Sequence, residues 1–371
     1  MEIRIFEYKN KEFIQRHIAY DAFNIRYKIH AFEPSDFSFD CHLSIVNNKE
    51  IKRGWFVLIE SEMNSGIIGV IENIKKNSDA NNNIMSVSGR DIKGMLSRRV
   101  VVRSDFTAPS TLGASVVSGW TDSCIRRFWR ENIGENAHPK RRIEEITIVD
   151  IDKNIGIPND MYSARFGRLS TITATLAHNA NLVINVTPKI DEGTILLEVV
   201  KPENRTVSSG RPLILSLDRQ TALQLEHIQE LSNFRNTFYT SENDNPETNI
   251  HLYMRDGEAE PSGLDRHEEH IIAHINDVSE LRRQALHRMT EYEEVNVINA
   301  QSNFTHLQYK RDYNVGDFVT VQNVEWGVEA DIQITAVEIS HNGGGRAETI
   351  TLGTGNKGYI RKLLTHTNNR S

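Results

Sequence analysis

The sequence predicts a β-rich α+β chain: two small β-barrel domains, a mixed α/β module between them, and an additional helix. Three observations carry that expectation. Short apolar runs bounded by polar or glycine-bearing clusters recur near both ends of the chain, the pattern of half-buried strands. Between them lies a stretch whose apolar residues return at helical spacing. A strand start of the form G-x-F-V-x-[IV] occurs twice, far apart in the chain.

Taken in order, Gly54-Trp55-Phe56-Val57-Leu58-Ile59 is a compact apolar run, Ile67–Ile74 is a second, and Ile84–Ser88 alternates. The polar cluster Asn77–Asn83 makes the last two a hairpin with a solvated loop. A helix is expected within 109–134, with Pro109-Ser110-Thr111 as its cap and Val116, Trp120, Cys124 and Phe128 on one aromatic-rich face. Another is expected near 163–179, where Leu169, Ile172 and Leu176 share a face. Strands follow at Leu182–Thr187 and Thr194–Val200, joined by a turn over Pro188–Gly193.

Beyond Arg211 strands resume at Pro212–Leu217 and Asn236–Tyr239, and Glu242–Glu247 reads as a long loop. Val278, Leu281, Ala285 and Met289 predict a helix over Asp277–Met289. The final strands are Phe318–Val321, Ile332–Ile339 and Glu348–Leu352, with Asn342-Gly343-Gly344-Gly345 as a hairpin turn. The basic, polar stretch 356–371 is expected to fray. The resulting division is a first barrel over 1–105, a mixed α/β domain over 106–210, and a second barrel over 211–371 that carries a helical and loop insertion at about 242–300.

Composition narrows the function classes. At 371 residues, with 38% hydrophobic and 25% charged residues, the chain has the makeup of a globular protein of several modules. A formal net charge of −7 argues against a protein whose main task is gripping phosphate backbones, since that affinity comes from Lys and Arg displacing counterions. Cys41 and Cys124, the two cysteines, lack zinc or disulfide-scaffold spacing and read as buried thiols of a reducing compartment. The N-terminus shows no signal-peptide pattern, and no run approaches the roughly 20 apolar residues of a membrane span, so no membrane anchor is expected.

The repeat organises the reading. Gly54-Trp55-Phe56-Val57-Leu58-Ile59 matches Gly316-Asp317-Phe318-Val319-Thr320-Val321. Downstream, Val70-Ile71-Glu72 and Val87-Ser88-Gly89 align with Ala336-Val337-Glu338 and Thr351-Leu352-Gly353. Two unrelated meanders with Gly before an apolar strand give a similar alignment; the other reading is two homologous barrels. A homotrimer of such chains would present six barrels, a pseudo-sixfold ring able to dock a threefold object onto a sixfold one.

Val87-Ser88-Gly89-Arg90-Asp91 with Leu96-Ser97-Arg98-Arg99, then Ser262-Gly263-Leu264-Asp265-Arg266-His267-Glu268, then Asp312-Tyr313-Asn314-Val315-Gly316-Asp317-Phe318-Val319-Thr320-Val321, carry a resemblance over nearly the whole chain. It resembles the tail hub (tail-tip or baseplate hub) proteins of siphophages and tail-like prophage particles, which are related to the central hub of contractile-phage baseplates. The resemblance implies a structural, non-enzymatic virion protein: a trimer at the tail tip, assembled in the host bacterial cytoplasm and serving host cell attachment. It would join the tail tube protein or distal tail protein to a central spike or tail fibre. The tape measure protein would be a further partner, and DNA would transit the channel without specific binding. Wall-degrading activity would then come from a separate protein.

No catalytic, cofactor-binding or metal residue is assigned, because each candidate constellation fails on spacing. His267, Glu268, Glu269, His270 and His274 would gather three imidazoles on one helical face, yet the H-E-x-x-H pattern needs His where Ile271 stands, and extended chain is expected there. Gly353-Thr354-Gly355-Asn356-Lys357-Gly358 lacks the order of a phosphate loop. Pro139-Lys140-Arg141-Arg142, with Arg126, Arg127 and Arg130, is the densest basic area and reads either as a solvated face or as a contact for DNA or an acidic partner. Cys41-His42, Glu144-Glu145 and Glu293-Glu294 are sequence neighbours whose side chains diverge. Two competing functions remain, a tail-associated peptidase or glycosidase and a carbohydrate-binding receptor module. The first predicts loss of wall clearing on mutation of His267, Glu268 or His270, the second binding of the isolated chain to wall polysaccharide.

Overall fold

The computed structural model describes residues 2–353 except 46–49, 61–65, 79–82, 104–114, 151–152, 165, 242–249, 255–258, 273–284, 286–288, 290–291, 293 and 304. Of the described residues 51% are in strands and 14% in helices, about twice the usual strand content of a soluble domain. The expected β-rich class is therefore observed.

The first part is a run of antiparallel strands: β1 (Glu2–Lys9), β2 (Glu12–Ile18), β3 (Phe23–His30), β4 (Asp36–His42), β5 (Phe56–Glu60), β6 (Ile67–Ser78) and β7 (Asn83–Asp91). Alternation sets their faces. In β4, Phe37, Phe39 and Cys41 point into the core while Asp36, Ser38 and Asp40 point away. Asp91 ends β7 and caps the short helix α1 (Ile92–Leu96), its carboxylate accepting from the Gly94 N–H.

The middle module comprises β8 (Ser115–Trp120), α2 (Thr121–Asn132), β9 (Ile146–Ile148), β10 (Pro158–Ala164), α3 (Leu169–Asn179), β11 (Val183–Lys189) and β12 (Thr194–Val200). The helix expected from 109 starts only at Thr121; its expected cap lies outside the described residues. Val116 belongs to β8 and is exposed, and Trp120, at the strand-to-helix corner, is 38% exposed. Strand pairing with β10 outweighs the four-residue spacing there, because Val116 and Val117 pair with Ser163 and Tyr162. From Cys124 onward the face holds as expected: Cys124, Phe128 and Trp129 are buried.

The last part contains β13 (Asn204–Arg205), β14 (Ile214–Leu215), β15 (Ala222–Glu230), β16 (Thr237–Ser241), β17 (Ile250–Met254), β18 (Glu268–Ile272), β19 (Val295–Ser302), β20 (Phe318–Asn323), β21 (Val328–Asn342) and β22 (Gly345–Leu352). The loop expected at Glu242–Glu247 and the tail 356–371 lie outside the described residues, as does most of the helix expected at Asp277–Met289; Ala285 and Met289 are helical and buried. Strands β16, β17 and β18 make a small satellite sheet around Phe238, Ile271 and Met289.

No closed barrel is present among the described residues. The expected barrel strands lie instead in one 14-stranded sheet, whose main path is β15-β19-β22-β21-β3-β4-β7-β6-β5-β1-β2, with β20 against β21 and β13 and β14 against β20. The junction is antiparallel pairing of β21 with β3, from Ala336↔His30 to His341↔Ile25. One hydrophobic core underlies both halves, from Ile3, Phe37 and Val87 to Val319, Ile339 and Leu352.

The repeat is a repeat of topology. Strands run β5-β6-β7-β4-β3 in the first half and β20-β21-β22-β19-β15 in the second, each neighbour antiparallel. The pairing corrects the sequence alignment, however. Phe56 faces Val70 and Phe318 faces Gln333, so Val70 corresponds to Gln333 and not to Ala336. Ser88 corresponds to Thr351, because each follows a bulge that sets it against Asn73 or Ala336. The near-continuous burial of β21 offers several apolar registers, and only hydrogen bonding selects one.

The middle module packs against the connection between β3 and β4 and against the segment leading into β20. The Ile184 N–H donates to the Ala31 carbonyl at 2.7 Å, and Phe32 and His178 rings lie 4.9 Å apart. Gly316, at φ +98°, lets the chain pass Val183, whose Cγ2 would sit 2.1 Å from an added Cβ.

Candidate functional site

The expected chemical constellations resolve into structure. Strand β18 sends successive side chains to opposite faces, so His267 and His270 cannot share a helical face; His274 lies outside the described residues. Among the described residues no three His, Cys, Asp or Glu side chains gather in metal-binding geometry. Burial pushes the Cys41 thiol up to about 12, far from a nucleophilic thiolate.

The helical part of the basic area is neutralised by its own acids. Arg126 pairs with Asp122 and, at 2.9 Å, with Asp150; Arg130 reaches Asp150 and Glu135, each at 2.9 Å; Arg127 reaches Glu131 at 2.8 Å. Arg141 donates to the Val100 carbonyl and Arg142 to the Ala137 carbonyl. This is a helix face braced by ion pairs and a loop held by hydrogen bonds to backbone carbonyls.

The three stretches that carried the resemblance are structural anchors. Arg90 grips Glu72 with two hydrogen bonds of 2.7 and 2.8 Å, and Arg98 adds a third at 2.7 Å. These guanidiniums hold the Glu72 carboxyl down at about 2. Arg266 ties Glu260, Glu268 and Tyr239 together, which holds the turn presenting Leu264, 98% exposed, to solvent. Buried Asp317 accepts from the Asn314 and Glu203 N–H groups and from Arg205, pinning β13 to the start of β20. Tyr313 donates to buried Glu348, which also accepts from the Tyr309 N–H and pairs with Arg346. A cavity of about 340 Å³ between the sheet and β11 holds the buried pair Asp91 and Lys93, 3.6 Å apart, with the Lys93 ammonium donating to the His30 carbonyl at 2.5 Å.

What sequence reasoning missed is the solvent face and the open edges of the large sheet. Across eight strands from β15 to β6 the face opposite the core is polar, and register places Glu226, Asn299, Thr351, Glu338, Arg26 and Ser38 along it. Arg26 on this face is held by acids: it binds Glu338 through two bonds of 2.8 and 2.9 Å and Asp36 through one of 2.7 Å. Strand β15 is the terminal strand on one side. On the other the terminal strand is β2, and within the sheet β5 covers β6 only from Ile67 to Val70, so Asn73–Ser78 has no strand on that side among the described residues. A groove of about 700 Å³ runs along this open half of β6, lined by Lys52, Arg53, Lys75 and Lys76. Open edges of this length are templates for further pairing. The signal for them in the sequence is the charged, alternating character of Lys75-Lys76 and of Glu226 and Glu230 within strand patterns.

A sequence profile of the Siphovirus ReqiPepy6 Gp37-like proteins matches residues 2–354. The chain belongs to this family. Comparison of the Gp37-like chain with curated protein sequences finds no match. Among solved structures it is similar to the 43 kDa tail protein of prophage MuSo2 from Shewanella oneidensis, with a TM-score of 0.57 and 12% identity over 96% of this chain and 99% of that one. It is also similar to the tail protein from Neisseria meningitidis MC58, with a TM-score of 0.54 and 13% identity over 96% and 97% of the two chains. A chain of the lidded Francisella PdpA–VgrG complex gives a TM-score of 0.50 at 10% identity, covering 96% of the Gp37-like chain and 53% of that one. The resemblance to phage tail proteins drawn from the sequence is thus borne out in family and in fold. Among the described residues no helix is long and apolar enough to cross a membrane.

Proposed function

We propose that this Gp37-like protein is a non-enzymatic structural component of a phage tail or tail-like particle, the hub at its tip. It works as a homotrimer whose three large sheets surround a channel. The observation that carries this reading is the doubled topology of one continuous sheet, β5-β6-β7-β4-β3 and β20-β21-β22-β19-β15. Three chains bring six equivalent units around a threefold axis, which matches a sixfold tail tube or distal tail protein above to a threefold spike or tail fibre below.

The halves 1–105 and 211–371 then line the channel and 106–210 stands outside it as a brace, with the satellite sheet of β16, β17 and β18 directed to partners. The channel passes the tape measure protein and DNA without specific binding. The polar sheet face supports that role, since Arg26 is already satisfied by Glu338 and Asp36 and offers phosphate little. The protein takes its place in the virion tail after assembly in the host cytoplasm.

The test is native mass at high concentration with negative-stain images of the same peak. Three chain masses and a six-lobed ring with a central hole are expected. A compact monomer that forms no ring when tail-tube or distal-tail protein is added overturns the hub and returns attention to wall binding.

A further inference from the structure

We propose that the open half of β6 receives β15 of a second copy of this chain, and that Lys75, placed diagonally to Glu226 and Glu230 across the junction, sets the pairing. The proposal rests on the ring reading above and adds the strands that join and the charges that choose them.

The template lies within the chain. In the second half β21 runs past β20 and pairs with β3, the last strand of the first half. In the first half β6 likewise runs past β5, but no strand meets it there among the described residues. The counterpart of β3 in the second half is β15, whose outer side is also unmatched among the described residues. Each chain therefore carries one unmatched edge of each kind.

The internal register transfers directly. Ala336, Glu338 and Ser340 face His30, Lys28 and Arg26. Their counterparts are Asn73, Lys75 and Asn77 on β6, by pairing with Ser88 and Ser86 of β7, and Glu230, Ile228 and Glu226 on β15, by pairing with β19. Lys75 then lies opposite Ile228 and diagonally between Glu226 and Glu230, within reach of both. Inside the chain an acid on the long strand, Glu338, is held by a base on its neighbour, Arg26. Between chains the two charges change places: a base on the long strand, Lys75, meets an acid, Glu226.

That exchange determines what can assemble. Two β15 edges would set Glu226 and Glu230 against their own copies, and two β6 edges would do the same with Lys75 and Lys76, so neither edge tolerates itself. Of the pairings between these two edges only the head-to-tail one brings opposite charges together, and such an interface closes into a ring when the rotation allows. Lys52 and Arg53 along the β6 groove extend the complementarity, and Ile228, 37% exposed on β15, loses water on pairing.

The experiment uses the full chain as Lys75→Glu, as Glu226→Lys and as the double variant, with native mass followed against concentration and melting to check the fold. Each single reversal should raise the concentration needed for assembly by about tenfold or more, and the double should return it to within about threefold of the original. The milder Lys75→Gln and Glu226→Gln should give smaller shifts in the same direction. A ring unaffected by either reversal, or reversals that disrupt it without rescue in the double, overturns this junction and leaves the hub intact. A wild-type chain monomeric at every concentration, also with tail-tube or distal-tail protein added, overturns both.

Discussion

Replacing Glu72 with Gln tests the anchor that locks β6 to β7 and α1. Its carboxylate takes three charge-assisted hydrogen bonds, two from Arg90 and one from Arg98, and the guanidiniums hold its carboxyl at about 2 instead of the ordinary 4.5. A displacement of that size corresponds to about 3 kcal/mol without screening. Glu72 is mostly buried, but its partners are 37% and 47% exposed, so screening reduces the contribution to about 1.5 kcal/mol. The folded value lies below the unfolded one, so the contribution is complete above pH 4.5 and disappears as pH falls through about 2. Urea unfolding of wild type and Glu72→Gln from pH 7 to pH 2.5 should give a gap of about 1.5 kcal/mol that narrows only below pH 4.5. A gap that is absent at pH 7, or unchanged down to pH 2.5, refutes the assignment.

His30 carries an acid sensitivity in a higher window. Burial and the neighbouring Lys93 ammonium lower it to about 4, so its contribution is present above pH 6.5 and lost as pH falls towards 4. His30→Asn should remove about 2 kcal/mol of that acid loss, seen as a flatter melting profile between pH 6.5 and 4. Gly316→Ala should lower stability by about 2 kcal/mol or more, because its φ of +98° and the Val183 methyl both exclude a Cβ; an unchanged melting temperature would contradict this. Asp36→Asn with Glu338→Gln should release Arg26 and produce salt-dependent retention of duplex DNA in a gel-shift assay. Adding Arg26→Gln should abolish that retention.

Strand positions and the doubling of the meander were legible in the sequence because both depend on local alternation and on glycines before apolar runs. The long-range organisation was not. The β21 to β3 junction joins residues some 310 positions apart, as in Arg26 and Glu338 (|i−j| = 312), and no local signal reports such a pairing. Two small barrels are what the repeated meander predicts; in the fold β21 instead pairs with β3 of the other half, while the outer side of β15 and the far half of β6 stay uncovered among the described residues. Trp120 was drawn into the helix because its spacing from Cys124 and Phe128 fits, yet pairing with β10 outweighs periodicity at that corner. The motif residues Gly316, Asp317 and Arg90 were visible as a pattern, but their role as hydrogen-bond anchors appears only with Arg205 and Glu72 in place. Lys75 and Glu226 look like ordinary surface charges until the unmatched edges are known.

The β21 to β3 junction also bears on how a ring of three such chains would open. Its wall would have six seams of the same geometry, but only three would be spanned by a continuous polypeptide. The other three would be held by non-covalent contacts alone, so force applied evenly around the rim would part alternate seams first. A wall that is sixfold in shape would then be threefold in strength, and it would split into three rigid staves.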